Sequence, residues 1–166
     1  MKNILRAALG LIGILGMASC KKPSPYLTAG TSDRFSVGQV WTYETRPSES
    51  DSRLVIGRID SINGQNIIHI KITGISLKNP MRPGAPQSQL PHAPISETAL
   101  MNSVIAKVDG SNDLSGFHAG YDDWHAAFMK GKAGWFTISV ADISATIEEA
   151  MAKLPPNHSL DRPAAR

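Results

Sequence analysis

The sequence predicts an α+β fold, with a three-stranded antiparallel sheet followed by about three helices that pack on one face of it. Two observations predict this class. Residues 38–79 consist of short stretches rich in β-branched and aromatic residues, which favour strands. After residue 95 the apolar residues recur at helical spacing. We place both layers in a single domain over residues 35–154, because a chain of 166 residues fits one core.

Two strands and a hairpin turn begin the predicted sheet. The first strand is predicted over residues 38–46 and the second over residues 52–62. Residues 46–51 contain the proline, serine and acidic residues typical of a loop. The second strand is followed by Asn63 and Gly64, the strongest short signal for a two-residue hairpin turn. We therefore expect the third strand to follow directly and to pair with the second.

The third strand is predicted over residues 66–79 and alternates in polarity. Isoleucines occupy positions 68, 70 and 72, and polar residues lie between them at 69, 71 and 73. Because successive side chains of a strand point to opposite faces, this alternation predicts one buried face and one polar face.

A proline-rich segment separates the predicted strands from the helices. Residues 79–94 contain five prolines, and proline removes a backbone donor from a ladder or a helix. We expect a long crossing loop here. A loop of this length in a compact domain is either disordered or used for binding.

Three helices are predicted after this loop. The first is capped by Ser96 and runs to about Val108, with apolar residues at four-residue spacing. A linker follows over residues 109–120. The second helix is predicted over residues 121–130 and the third over residues 139–154, which two prolines end.

The first twenty residues have the pattern of a secretory signal peptide. Lys2 and Arg6 are followed by an apolar or small run over residues 7–19. Such a run forms about 20 Å of helix, which is too short for a hydrocarbon core of about 30 Å. It ends at Cys20, the only cysteine, so this cysteine has no disulfide partner within the chain. We expect residues 1–19 to be removed.

The sequence Met17-Ala18-Ser19-Cys20 resembles the lipobox of bacterial lipoproteins. In that family a peptidase cuts before the cysteine, whose thiol carries a diacylglycerol and whose new amino group is acylated. The resemblance implies that Cys20 anchors the chain in a membrane, since two or more acyl chains hold stably where one does not. Lys21, where an Asp would favour the inner membrane, implies the periplasmic side of the outer membrane in a two-membrane host. The alternatives are an ordinary signal peptide cut after Ala18 and an uncleaved helix.

Two terminal segments lack any periodic pattern. Residues 20–34 are rich in proline, serine, threonine and glycine, which predicts a flexible tether after the lipidated cysteine. Residues 155–166 are predicted to be a disordered tail. The domain can therefore stand off the membrane surface.

The charge balance argues against a nucleic-acid partner. The chain has 17 basic and 14 acidic residues, for a net charge of +3, and they are interspersed. Nucleic-acid binding normally needs basic residues clustered on one face. We expect no nucleic acid among the partners.

One short segment could carry catalytic chemistry. Asp122 and His125 lie three residues apart on a predicted helix and share a face, so with His118 they could bind a metal or serve a hydrolase. No paired-cysteine or HExxH spacing supports a metal, and the helix dipole favours carboxylates in a first turn. We assign no metal and no cofactor. A hydrolase of unrecognised type that uses this group or His69 remains an alternative.

The candidate binding surface comprises polar residues of the predicted sheet and loop. Its members are Arg58, His69, Lys71 and His92. Across the strands, Arg58 and Asp60 are the nearest expected neighbours of His69, and these three could equally form a polar ladder without chemistry.

The leading hypothesis is a lipid-anchored periplasmic binding protein without catalytic activity. The sequence has no Gly-x-Ser-x-Gly motif and no glycine-rich phosphate loop. A concrete form is an inhibitor or immunity protein for a toxin or hydrolase that acts in the periplasm, and an envelope accessory factor fits equally well. The alternatives are the hydrolase described above and a small-ligand binding module.

Overall fold

The computed structural model describes residues 26–80 and 84–153, which form a six-stranded sheet and three helices. The strands are β1 (Leu27–Ala29), β2 (Val40–Tyr43), β3 (Arg53–Ile62), β4 (Gln65–Leu77), β5 (Gln87–Ser96) and β6 (Val104–Val108). The helices are α1 (Glu97–Ser103), α2 (Phe117–Met129) and α3 (Val140–Ala152). The expected signal peptide, Cys20 and the tail over residues 155–166 lie outside the described residues.

The strands of the sheet are antiparallel, in the order β5-β4-β3-β2-β6, and β1 pairs with β3 beside this path. The α+β class, the antiparallel sheet and the three helices are confirmed. The expectation of three strands is wrong, because the described residues contain six. The hairpin between β3 and β4 has the expected turn, with positive φ at Asn63 (52°) and Gly64 (82°) and with Ile62 opposite Gln65.

Strand β5 corrects the expectation of a loop over residues 79–94. It runs along β4, with Pro94 opposite His69 and Ala93 opposite Ile70. The strand contains Pro91 and Pro94, yet it lies at the end of the sheet order. An edge strand tolerates proline because one side of its backbone needs no ladder partner.

Strands β6 and β1 also differ from the predictions. The first helix stops at Ser103, and the β-branched residues after it form β6 instead of the last turns of the helix. Strand β1 lies within the expected tether and pairs with the end of β3, so that Leu27 is opposite Ile62. Three residues of the expected tether are therefore part of the sheet.

The helices begin much as their capping residues predict. Ala99 N–H donates to Ser96 Oγ at 3.2 Å, and Asp142 N–H donates to Ser139 Oγ at 3.1 Å. Helix α2 starts four residues earlier than predicted, after Gly116, which has a φ of 75°. In the ranges described, no helix is both long and apolar enough to cross a bilayer.

The helices cover both faces of the sheet, which corrects the expectation that they pack on one face. Ile68, Ile70 and Ile72 of β4 belong to a large apolar core with residues of α1 and α3. Ile67, on the opposite face of β4, packs with Trp124 and Phe128 of α2. The face of the third strand that was expected to be polar and open is therefore covered by α2.

Candidate functional site

A group of polar side chains meets where α2 packs on the sheet. We call it the His–Asp cluster, and its members are Arg58 and Asp60 on β3, His69 on β4, His92 on β5 and Tyr121 on α2. Arg58 and His69 are opposite each other in the β3–β4 ladder. The side chains of Asp60 and His69 are both fully buried. The Arg58 side chain is 44% exposed, and His92 and Tyr121 are partly buried, so the cluster extends from the interior to the surface of the domain.

Two glycines let α2 approach the sheet closely enough to enclose the cluster. A Cβ atom at Gly57 would lie 2.3 Å from ring atoms of Phe117, so the ring occupies the space that a side chain would take. A Cβ atom at Gly120 would lie 2.7 Å from the Cβ of His92. Gly57 also lies at the irregularity between Ile56 and Arg58 in the β3–β4 ladder. These glycines are therefore steric requirements of the α2 packing.

The Asp60 carboxylate is held from two sides by hydrogen bonds. The Tyr121 hydroxyl donates to Oδ2 at 2.7 Å, and Arg58 Nε donates to Oδ1 at 2.8 Å. The Arg58 guanidinium also lies over the Tyr121 ring, 4.7 Å from its centroid. Because a buried carboxylate is costly without such partners, these contacts explain how Asp60 remains inside the domain.

The two histidines of the cluster form a bonded pair. His69 Nδ1 lies 2.9 Å from His92 Nε2, and His69 Nε2 lies 3.3 Å from Asp60 Oδ2 without the alignment of a hydrogen bond. A proton on Nε2 best suits the adjacent carboxylate, so Nδ1 of His69 accepts the N–H of His92 Nε2. Aromatic rings pack against the pair, and the centroid of the Trp124 ring lies 4.6 Å from that of His69.

Burial controls the protonation of the cluster. It lowers the pKa of His69, although the nearby Asp60 carboxylate opposes the shift. Burial and the proximity of His69 lower the pKa of His92 to about 3. Burial alone would raise the pKa of Asp60, but the contacts with His69, Tyr121 and Arg58 bring it below its ordinary value. Both histidines are consequently neutral, and Asp60 is ionised at neutral pH.

The pKa of Tyr121 is shifted upward, in the direction opposite to the pKa shift of Asp60. Burial, together with its hydrogen bond to Asp60, raises the pKa of the Tyr121 phenol to about 12. The phenol is therefore kept as a donor to the carboxylate.

Lys71 lies on the same face of β4 as His69 but forms hydrogen bonds outside the His–Asp cluster. Its ammonium group donates to Asp113 Oδ2 at 2.8 Å and to the carbonyl and hydroxyl oxygens of Ser115, both at 3.1 Å. The Lys71 side chain is 1% exposed, whereas the Asp113 side chain is 60% exposed. This contact fastens the segment before α2 to the sheet.

The structure brings together three of the four residues of the expected binding surface. Arg58, His69 and His92 belong to the His–Asp cluster, while Lys71 binds Asp113 instead. His69 and Lys71 are buried, in contrast to the exposed polar face that the alternation predicted. Arg58 and Asp60, the predicted neighbours of His69, both lie beside it in the cluster. His92 lies in strand β5, not in a loop.

The second candidate group lies on the outer part of α2. His118 and Asp122 are exposed, and His125 is partly buried, with its ring stacked on Tyr121 at a centroid distance of 5.9 Å. Within residues 26–80 and 84–153, no group of three or more His, Cys, Asp or Glu side chains is arranged to hold a metal ion.

Edge strand β6 has exposed side chains at three successive positions, residues 105–107. It is the last strand in the order and, among the described residues, it pairs with β2 alone. Thr42 is opposite Ala106 and Tyr43 is opposite Val104, so Ile105 is the extra residue of a bulge. The Ile105 side chain is 65% exposed. A strand edge of this kind can pair with an extended segment of another protein.

No protein-family model, no curated protein and no solved structure matches this chain. In the folded state Asp60 and His69 are each 0% exposed, so a substrate cannot reach them. The hydrogen bond from Tyr121 to Asp60 links α2 to the sheet.

Proposed function

We propose that this chain is a lipid-anchored binding protein of the cell envelope whose domain recognises another protein and performs no catalysis. The observation that carries the proposal is the complete burial of Asp60 and His69 in the His–Asp cluster. These two groups lie 3.3 Å apart beneath α2 and are covered by it, so the accessible surface of the domain offers contacts for recognition. A general base, by contrast, has to reach the proton that it removes.

The lipobox resemblance at residues 17–20 supports the anchor. The cysteine follows an apolar segment too short to span a bilayer, and Lys21 favours the outer membrane facing the periplasm. Substituting Cys20→Ser tests this part directly. We expect the wild-type chain to be retained in the membrane fraction and the variant to be released. Equal retention of both, or an intact leader detected by mass spectrometry, would contradict the anchor.

Edge strand β6 supports the proposed place of recognition. Its exposed Ile105 and Lys107 combine an apolar contact with a charge. The bulge and the lysine disfavour indiscriminate strand pairing, so a selected partner strand is the expected occupant. The partner is a protein that meets this domain in the periplasm. An inhibited toxin or hydrolase is the form we favour, and an envelope assembly component is the other outcome.

A capture experiment with matched variants tests recognition. The full chain serves as bait in an envelope extract of its host, beside the variants Ile105→Asp and Val37→Asp. Val37 is 59% exposed and lies outside β6, so it is the matched control. We expect one protein to be retained by the wild-type chain and by Val37→Asp, and lost with Ile105→Asp.

Two results would contradict the proposal. The first is retention that does not depend on Ile105, which would remove β6 as the contact. The second is a hydrolytic activity of the purified chain that is lost in the variant His125→Gln while its fold persists. That result would favour the enzyme alternative based on His118, Asp122 and His125.

A further inference from the structure

The two cores of the domain differ in size, and the smaller one contains the His–Asp cluster. In the described residues, the core beneath α1 and α3 includes 17 buried apolar residues, whereas the core beneath α2 includes four. These four are Ile62, Ile67, Trp124 and Phe128. Helix α2 also buries Phe117, but the residues beneath it include the ionisable His69 and Asp60, so its attachment to the sheet depends on their protonation.

The His pair has a limited capacity for protons while α2 is in place. His69 Nδ1 and His92 Nε2 are 2.9 Å apart and share one hydrogen. Two charged rings at that distance would both point an N–H at the other, and the repulsion would act in a buried site. The closed pair can therefore accept at most one proton, next to Asp60.

We propose that the His–Asp cluster is an acid-sensitive latch, in which proton uptake by His69 and His92 releases α2 from the sheet while the opposite core stays folded. The release exposes the apolar residues beneath α2. The latch depends on neither the anchor nor the protein partner proposed above. It is a further property of the same domain.

The charged and titratable groups around the pair lie on β3, β4 and α2, and Lys71, two residues further along β4, is paired with Asp113. Asp60 on β3 favours the first proton, and Arg58 beside it disfavours any added positive charge. Tyr121 on α2 donates to Asp60 and is neutral throughout the acid range. His125 and His118 contact Tyr121 and Phe117 from the outer side of α2.

Proton linkage gives the size of the effect. Once α2 has left, both rings are solvated and take up protons near their ordinary pKa of about 6.5. The open state thus binds one or two more protons than the closed state below that pH. The opening equilibrium then rises about tenfold per extra proton for each pH unit.

Amide hydrogen exchange of the full chain at pH 7.5 and pH 5.0 tests the latch. Rates are corrected for the intrinsic pH dependence of exchange. We expect the protection of residues 117–129 to fall about 30-fold for one extra proton, or about 1,000-fold for two. The amides of α3 are the internal reference and should change less than about threefold, because the larger core holds them.

Two variants separate the latch from general acid sensitivity. The glutamine of His92→Gln can still donate to His69 Nδ1 but does not ionise. The pH-dependent loss of α2 protection in this variant should therefore correspond to one proton fewer than in the wild type. His118→Gln removes an exposed histidine of the same helix and should leave the wild-type response unchanged. An undiminished response in His92→Gln, or equal losses in α2 and α3, would overturn the proposal.

Direct titration covers the case in which His92→Gln does not fold. The ring resonances of His69 and His92 are followed by NMR in the wild-type chain over the same pH range. The latch requires that protonation of both rings coincide with the loss of α2 protection. Two protonated rings in a chain whose α2 amides stay protected would refute it.

Discussion

The two faces of the sheet are covered by helices in two different ways. Beneath α1 and α3 the contacts are apolar, and Leu54, Ile70 and Leu100 are all fully buried there. Beneath α2 the buried aromatic residues Trp124 and Phe128 pack beside buried histidine, aspartate and lysine side chains of the same strands. The same strand β4 supplies both environments, because its successive side chains point to opposite faces.

The two faces differ in how their stability depends on pH. Apolar packing varies little with pH near neutrality, whereas a buried polar network is stable only in one protonation state and with every partner in place. The apolar face therefore provides most of the unconditional stability. The α2 face adds a contribution that can be removed by a change of charge.

The largest expected effect comes from truncating the apolar face. Ile70→Ala should lower the free energy of unfolding by about 3–4 kcal/mol, since it leaves a cavity in a large, well-supported core. Ile67→Ala is the matched variant, because both residues are 0% exposed on β4 but face opposite sides. We expect its cost to be about 1 kcal/mol smaller, as the smaller core can adjust around it. Urea denaturation measures both, and equal or reversed costs would break the comparison.

The next largest effect comes from filling the space that α2 needs. Gly57→Ala places a methyl group 2.3 Å from the buried Phe117 ring, and should cost about 1–3 kcal/mol. The double variant Gly57→Ala with Phe117→Leu should recover part of that loss, because the smaller side chain relieves the clash. Denaturation of the two single variants and the double variant gives the coupling. Strictly additive costs would show that the ring does not press on Gly57.

The sequence predicted the apolar face much better than the α2 face. Ile68, Ile70 and Ile72 alternate with polar residues, and this signal alone predicted which side of the third strand is buried. The same signal was misleading for His69 and Lys71, since polarity normally indicates exposure. Their burial depends on partners from distant segments, such as Asp113 for Lys71, and periodicity within one strand does not show them.

A signal for the second face was nevertheless present. The apolar residues Tyr121, Trp124 and Phe128 form a stripe along the second predicted helix, and a stripe of that width requires a surface to cover it. Strand β5 was missed because prolines usually indicate a loop, although an edge strand accommodates them. With β5 assigned to a loop, the contact of His92 with His69 could not be anticipated.

Removing the buried charge of Lys71 should destabilise the domain less than removing its partner Asp113. Lys71→Met keeps the length of the side chain and leaves Asp113 in contact with water, so its free energy of unfolding should stay within about 1 kcal/mol of the wild type. Asp113→Ala removes a partner from a buried ammonium group and should be the more destabilising of the two. Denaturation midpoints at neutral pH give the order. The opposite order would mean that Lys71 reaches water in the folded chain.

The smallest expected effect appears at alkaline pH and involves Tyr121. Its folded-state pKa of about 12 lies above the ordinary value of 10, so the neutral phenol is favoured in the folded state. This contribution is complete below pH 10 and is lost as the pH rises from 10 towards 12. The wild-type chain should therefore lose stability between pH 10 and pH 12, and Tyr121→Phe should lose less over the same range.

Other tyrosines also contribute to the alkaline loss of stability. Burial also raises the pKa of Tyr43, so part of the alkaline loss persists in Tyr121→Phe. Tyr26→Phe, which removes a phenol that is 74% exposed, is the control and should follow the wild-type profile. If Tyr121→Phe follows the wild-type profile as closely as this control does, the hydrogen bond to Asp60 does not contribute to holding α2. The α2 face would then depend on its few apolar contacts and the His pair alone.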